Sequence, residues 1–464
     1  MKLPLLLFVA LAAASFLSAA NERPNFVLIL ADDLGWADVG CYGNTFNGTP
    51  QLDRLAREGL RFTQFYAGPV CSPTRANLQS GRDQARFGIT QHIPGHRRPF
   101  ARLIDPEVPA HLPLEVETFA ERLRAAGYAT GYFGKWHLGG EGYGPQEQGW
   151  ETAIEFTGNV LPARLGAGAA ARAADFLATQ AENFITAHRA RPFVLQISSS
   201  AVHIPLSTTP ELLAKYRARK PMPGYPSLPE YAGLLEELDT AVGRIVAAVD
   251  RAGLGARTMI LFVSDNGGLV HQQSGEIVTS NAPLRGEKGT LYEGGIRVPA
   301  LARWPGRIAA GGTCAVPATT MDLHATFLAL AGVGPAAGPP PDGVSLVPLL
   351  ERPGVPLARD TLYWHLPHYH HSTPASAIRR GDWKLIEFFE TGAVELYHLG
   401  QDIGERTDLA AREPARAREM QAALDAWRRD VGARLPQPNP NHDPVRASEL
   451  GRAGGGRNKK STPR

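Results

Sequence analysis

Two short apolar runs that end in acid constrain the fold of this chain more than any other feature. Phe26-Val27-Leu28-Ile29-Leu30 runs into Ala31-Asp32-Asp33, and Met259-Ile260-Leu261-Phe262-Val263 runs into Ser264-Asp265-Asn266-Gly267-Gly268. Neither run alternates apolar with polar residues, so neither suits a strand with one wet face. Both suit strands covered by helices on both sides. In open α/β sheets ligands bind beyond the carboxyl ends of the strands, where both acidic clusters fall. Asp32, Asp33, Asp265 and Asn266 supply hard oxygens, three of them anionic. That set suits Ca²⁺ or Mg²⁺ and lacks the His and Cys that zinc prefers.

Helical patterns separate these runs. Thr49-Pro50 is placed as N-cap and first helical residue of a segment that carries Leu52, Leu55 and Ala56 toward Gly59. Val116, Phe119, Ala120 and Leu123 repeat at helical spacing, and Tyr231, Leu234, Leu235, Leu238, Val242, Ile245, Val246 and Val249 form a long stripe before Gly253. The fold class is therefore α/β, with a large doubly wound, mostly parallel sheet domain over 24–345. Pro, Gly and Ala crowd 335–341 as a linker or long loop. Beyond it, runs at 362–365, 383–389 and 394–397 read as strands and 413–429 as a helix. A smaller C-terminal domain over 355–445, an antiparallel sheet with one helix on it, follows from that order.

The ends of the chain and its charge exclude several functions. Lys2, the apolar run over 5–11 and the small residues Ser18 and Ala20 have the pattern of a signal peptide over 1–20, which predicts export to the periplasm or medium. No other segment is long and apolar enough to span a bilayer. From 447 to 464 Gly, Arg, Lys and Ser dominate, the composition of a disordered basic tail. Net charge is +3, and loss of Lys2 with the leader leaves +2, too nearly balanced for nucleic-acid binding. Cys41, Cys71 and Cys314 are too few for a disulfide scaffold, and Cys41 and Cys314 are expected buried and unpaired.

Two motifs carry specific chemistry. Cys71-Ser72-Pro73-Thr74-Arg75 continues through Ser80-Gly81-Arg82 in the pattern C-x-P-x-R-x-x-x-x-S-G, and Gly127-Tyr128-Ala129-Thr130-Gly131-Tyr132-Phe133-Gly134-Lys135-Trp136-His137 follows G-Y-x-T-x-x-x-G-K-x-H. His203 stands two residues before Pro205, and Lys288 lies in a Gly-rich stretch from 282 to 299. Together these resemble the type I sulfatases of the alkaline phosphatase superfamily, over about residues 25–408.

The resemblance implies that Cys71 is oxidised to formylglycine by a formylglycine-generating enzyme. It implies one Ca²⁺ held by Asp32, Asp33, Asp265, Asn266 and the modified Cys71. Lys135 would stabilise the aldehyde hydrate, His137 would take the proton that lets the intermediate collapse, and His203 and Lys288 would clamp the sulfate, His203 also donating to the leaving oxygen. The chemistry explains the modification: a hydrated aldehyde offers two hydroxyls on one carbon, one to attack sulfur and one to expel sulfate afterwards. Arg75, four residues on, is expected to face residue 71 across one helical turn starting after Pro73. Lys135 and His137, two apart, share a face if the segment is extended.

Substrate recognition is less constrained. His365, His368, His370 and His371 surround Tyr369 in a dense run. As a loop over the mouth of the site this run would contact a sugar, with His368 and His370 as substrate-binding residues. Arg97-Arg98 suits either a solvated pair or a contact to an anionic polymer, and Glu287, beside Lys288, is expected to point away from an anion site. The substrate class read from these features is a sulfated carbohydrate, galactose or N-acetylgalactosamine sulfate preferred. The alternatives are a phosphatase or phosphonate monoester hydrolase on the same site, or a non-catalytic glycan-binding protein.

Overall fold

The computed structural model describes residues 23–165, 171–272, 274–334 and 338–451. The expected signal peptide lies outside the described residues, as do part of the 335–341 stretch and the basic tail beyond 451.

Strand β1 (Asn25–Ala31) sits inside a nine-stranded sheet, between β6 (Phe193–Ser198) and β7 (Thr258–Ser264), both parallel to it. Beyond β6 lie β4 (Ala129–Gly134) and β5 (Thr152–Glu155), also parallel. Beyond β7 comes β8 (Arg297–Arg303), antiparallel to both its neighbours, then β2 (Leu60–Tyr66), which pairs on its outer side with β9 (Gly312–Cys314) and β10 (Ala318–Thr319).

Burial explains why β1 does not alternate. Val27 and Ile29 pack into one core layer with Leu55, Leu177, Leu234 and Val242, while Phe26, Leu28 and Leu30 pack into the opposite layer with Phe119, Leu123, Leu323 and Phe327. Register then sets the site. Ala31 is level with Ser264, and Leu30 and Gly134 are both level with Ser198, so β1, β4, β6 and β7 end together. The chain passes from β6 to β7 across β1, which opens the crevice of a doubly wound sheet at that edge.

The helix Pro50–Arg57 has Pro at its first position as expected, but Thr49 makes no capping bond through its side chain. The Asp239 carboxylate does that work instead, accepting the N–H of Gln51 at 3.1 Å and of Leu52 at 2.8 Å. The helix Phe119–Ala125 is closed by a reciprocal capping box between Thr118 and Glu121.

A second sheet, β11 (Thr361–Leu366), β12 (Ala375–Arg380), β13 (Trp383–Phe388) and β14 (Val394–His398), is an antiparallel meander. Ile378, Leu385 and Leu396 face the helix Pro414–Asp430 through Ala417, Met420 and Leu424, while Trp364, Ala377, Ile386 and Tyr397 face Tyr66, Leu291 and Ile296 of the large sheet domain. Buried charge reinforces that contact: Lys384 Nζ lies 3.0 Å from Glu293 and 2.9 Å from Glu405, and Tyr66 donates to Glu293 at 2.7 Å.

The end of the described chain departs from expectation. β15 (Gln437–Pro438) pairs with β3 (Leu103–Ile104), and the Gly451 N–H donates to the Arg97 carbonyl at 2.8 Å. Gly451 is thus tied to the large domain, while Ser448, Glu449 and Leu450 remain exposed to solvent. Cys314 is buried, but Cys41 is only partly covered, because it lies in a surface turn whose N–H is tied to Asp53. Among the described residues all three cysteines are free, and no helix is long and apolar enough to cross a membrane.

Candidate active site

Cys71 is the first residue of the helix Cys71–Ser80, entered from Val70 in extended conformation. The helix therefore starts before Pro73, which is tolerated in the first turn because the N–H it lacks has no intrahelical acceptor there. All ten residues of this helix are buried, so Cys71 is held rigidly at the end where the helix dipole favours negative charge. The Ser-Gly pair of the motif has a packing reason: Gly81 ends the helix at φ +66°, and a Cβ there would lie 2.7 Å from the His324 ring.

The four predicted oxygen donors come together, and two of them reach Cys71. Ligand atoms of Asp32, Asp265 and Cys71 lie within 4.8 Å of one another, as do those of Asp32, Asp33 and His203. Asp33 has φ +61°, a strained value for a non-glycine residue, and its N–H donates to Asp265 Oδ1 at 3.2 Å. Asn266 Nδ2 donates to Asp33 Oδ1 at 2.8 Å, which leaves Asn266 Oδ1 buried without a partner; Asp32 Oδ1 is in the same state. Buried acceptors left unmade are costly. Burial and the neighbouring Asp32 charge push Asp265 up to about 8, against the pull of Arg75. A hard divalent cation satisfies both orphaned oxygens and relieves that repulsion, so the residues present fit Ca²⁺ or Mg²⁺.

Three cations balance the acids. Arg75 makes a bidentate pair with Asp265 Oδ2, at 3.0 Å from Nε and 2.7 Å from Nη2, and its Nη1 donates to the Lys135 carbonyl. Lys135 Nζ lies 2.5 Å from Asp32, and Lys288 Nζ lies 2.8 Å from Asp33. Burial raises the Asp32 carboxyl, but Lys135, His203, Arg75 and Lys288 outweigh it and hold Asp32 well below the usual carboxylate range. Burial opposes the Lys288 charge, yet Asp33 raises it above its ordinary value.

The histidines divide by position. β4 ends at Gly134, and His137 turns at φ +61°, so Lys135 and His137 do not share an extended face as the spacing implied; both nevertheless line the cleft. His137 Nε2–H donates to the Ile93 carbonyl at 2.7 Å, which leaves Nδ1 buried and unpartnered. Burial first, then Lys135 and Arg75, push His137 down to about 4, so it stands as a neutral base. His203 Nδ1–H donates to the Ile204 carbonyl at 2.6 Å, and Nε2 lies 3.6 Å from Asp33.

These groups floor a cleft of about 1000 Å³ lined by Cys71, Lys135, His137, His203 and Lys288. Tyr369, His370 and His371 form part of its wall, and His371 Nδ1 lies 2.8 Å from the Lys288 carbonyl. His368 is not a cleft residue, contrary to expectation: it is 1% exposed, 2.8 Å from the Thr90 hydroxyl. His365 is also turned inward, between the Ser376 hydroxyl and the Arg434 carbonyl. Glu287 is absent from the cleft lining; it accepts the N–H groups of Val270 and His271 at 2.7 and 2.8 Å and lies 2.7 Å from Nδ1 of His271, which does line the cleft. Arg98 lines the cleft and donates to the His370 carbonyl at 3.1 Å, whereas Arg97 is exposed. Sequence reasoning missed His92, His96, Ser448 and Leu450, all in the cleft wall. The i, i+4 pair of histidines was the available signal for the first two.

Comparison with known proteins agrees with this geometry. Residues 24–333 match the model of the sulfatase family, and residues 286–429 match the N-sulphoglucosamine sulphohydrolase C-terminal family. The chain is 34% identical to arylsulfatase A of Homo sapiens over 483 residues, covering 91% of this chain and 89% of that protein. It is 32% identical to N-acetylgalactosamine-6-sulfatase of Homo sapiens over 456 residues, covering 85% and 83%. The crystal structure of Ps i-CgsB in complex with k-i-k-neocarrahexaose superposes with a TM-score of 0.76 at 27% identity, covering 91% of this chain and 96% of that one. The chain is a sulfatase, a member of the type I sulfatase family.

Proposed function

We propose that this sulfatase is exported, as its leader-like N-terminus indicates, and hydrolyses sulfate esters of carbohydrates through a formylglycine made from Cys71 by a formylglycine-generating enzyme. The observation that carries the reading is the convergence on residue 71, within one cleft, of an orphaned oxygen shell, two lysines and two histidines. Asp32, Asp33, Asp265, Asn266 and residue 71 would hold Ca²⁺. When bound, the cation supplies Lewis-acid stabilisation to a sulfate oxygen. Residue 71, as the hydrated aldehyde, supplies the nucleophile and its exit.

The chain's own residues do the rest. Arg75 spends three N–H donors on Asp265 and the Lys135 carbonyl, which fixes the Asp265 carboxylate and leaves two donors for residue 71. Lys135 adds positive charge next to that group. His137, neutral and with a bare Nδ1, accepts its proton. Lys288, kept charged by Asp33, binds sulfate oxygen, and His203, entering the step as the imidazolium because Nδ1–H is committed to the Ile204 carbonyl, donates its Nε2 proton to the leaving alkoxide and is left neutral. His370 and Arg98 at the cleft wall supply contacts for sugar hydroxyls or further anionic groups; the relative named N-acetylgalactosamine-6-sulfatase and the oligosaccharide-bound neighbour support that substrate class. A galactose or N-acetylgalactosamine sulfate is the preferred substrate.

A panel of sulfated mono- and oligosaccharides, matched phosphate esters and a synthetic aryl sulfate tests the reading. A sulfated galactose or N-acetylgalactosamine is expected to give the highest kcat/KM, with phosphate esters far below. Equal or better turnover of phosphates overturns the sulfate assignment, and an aryl sulfate better than every sugar overturns the carbohydrate assignment.

A further inference from the structure

A second group of metal-type ligands stands in the cleft, chemically unlike the carboxylate shell. His92, His96 and His370 each present a ring nitrogen, and the three nitrogens lie within 4.8 Å of one another. We infer that these three histidines form a nitrogen site for a late first-row dication, Zn²⁺ in the first instance, whose occupancy blocks the approach to residue 71. Its ligands come from separate elements. His92 and His96 flank the turn at Ile93-Pro94, and His370 comes from the connection between β11 and β12, so the trio closes only where the small sheet meets the large domain.

Three observations support metal binding over a plain imidazole stack. Ring centroids are 4.4 Å apart for His92 and His96, 5.8 Å for His92 and His370, and 5.5 Å for His96 and His370, and the pairs are edge-on or tilted instead of stacked, as rings directed at one point require. His92 Nδ1 lies 3.0 Å from Oε1 of the buried Gln91, so Nδ1–H donates there and Nε2 is left bare. That is the outer-shell arrangement that orients metal-bound histidine. His370 is pinned from the other side: Gly289, at φ +77°, has no Cβ, and one would come 1.9 Å from His370 Nδ1.

Charge is compatible. Burial, then neighbouring positive groups, hold His92, His96 and His370 below the ordinary histidine range, so all three are neutral donors at neutral pH. The nearby Lys288 charge is matched by Asp33 at 2.8 Å. Three neutral imidazoles with a fourth position open to the cleft match the ligand type and number of zinc sites that keep an exchangeable position. An anion from solution or from a sulfate ester completes the shell. The hard-oxygen shell at Asp32 and Asp265 prefers calcium, so the two sites select different ions.

Zinc titration of the full-length, calcium-loaded protein, with both metals quantified in the same sample, tests the inference. One Zn²⁺ per chain is expected to bind without release of calcium, and the KM for an aryl sulfate to rise with added Zn²⁺. His96→Ala is expected to keep zinc-free turnover and weaken zinc binding by at least the ~10–100-fold that loss of a mere outer-shell partner costs, with inhibition lost in parallel. Co²⁺ on the unaltered protein gives a variant-free arm: the visible ligand-field absorption of four-coordinate cobalt is expected with calcium still bound. Zinc that displaces calcium, zinc binding or inhibition unchanged by His96→Ala, or no zinc and no cobalt spectrum, each overturns the site.

Discussion

Asp33 joins the two halves of the site, since its carboxylate is bonded by Asn266 and Lys288 and approached by His203. A residue so placed would fix the proposed sulfate clamp and cation shell together, a reason for a strained φ to be retained there. In the proposed mechanism Lys288 and His203 face the charge that develops on sulfate and leaving oxygen. Lys288→Ala and His203→Ala are each expected to lower kcat by ~10²–10³, about 2.7–4 kcal/mol, the usual effect of deleting one preorganised donor. Steady-state kinetics on both variants checks this, and losses of only a few-fold in both would mean that other residues hold the sulfate. How a single residue points was the part least legible in the sequence. His365 to His371 stood out as a cluster, but successive residues of a turn leave in different directions, so His370 enters the cleft while His368 turns to Thr90.

At the scale of elements, the strands ending in acid were legible because a run buried on both faces has no other use for its residues, and register did the rest. Helix ends were less so. Thr49-Pro50 marks the right place, yet the cap is Asp239, which is distant in sequence and invisible to a local pattern. Asp239→Ala is expected to destabilise the protein by about 0.5–2 kcal/mol, the range for a lost cap, with kcat unchanged in urea-unfolding and activity assays. β11 offers a pH test. Burial pushes His365, from an ordinary value of 6.5, down to about 3. Between those values the unfolded chain binds a proton that the folded chain refuses, so this group's contribution is present above pH 6.5 and falls as pH falls. Unfolding free energies at about pH 7 and about pH 5 are expected to differ by about 2 kcal/mol more in the wild type than in His365→Asn. Equal differences would show that His365 does not titrate as placed.

Over the whole molecule, the small sheet is docked through a buried charge cluster as well as through apolar surface. Lys384 is fully buried between Glu293 and Glu405, so Lys384→Ala leaves the buried Glu405 without its cation and Glu293 with Arg297 alone, at 3.3 Å. A loss of about 3–5 kcal/mol is expected, while joint replacement of the three by apolar residues of similar volume recovers most of it; no difference between the two in chemical unfolding would argue against the cluster's pairing. Docking also brings His370 and His371 over Lys288, and the segment ending at Gly451 closes the same wall. Composition had marked that segment only as a basic tail, because main-chain pairing with Arg97 leaves no compositional trace.

The proposed chemistry turns on residue 71 in oxidised form, and Arg61 and Arg75 bracket it in one tryptic peptide, residues 62–75. Mass spectrometry of that peptide, taken from protein of measured specific activity, tests the claim most directly. Formylglycine is expected at position 71 in proportion to activity, and Cys71→Ala is expected to be folded but inactive. Full sulfatase activity in protein whose peptide carries only unmodified cysteine would contradict it.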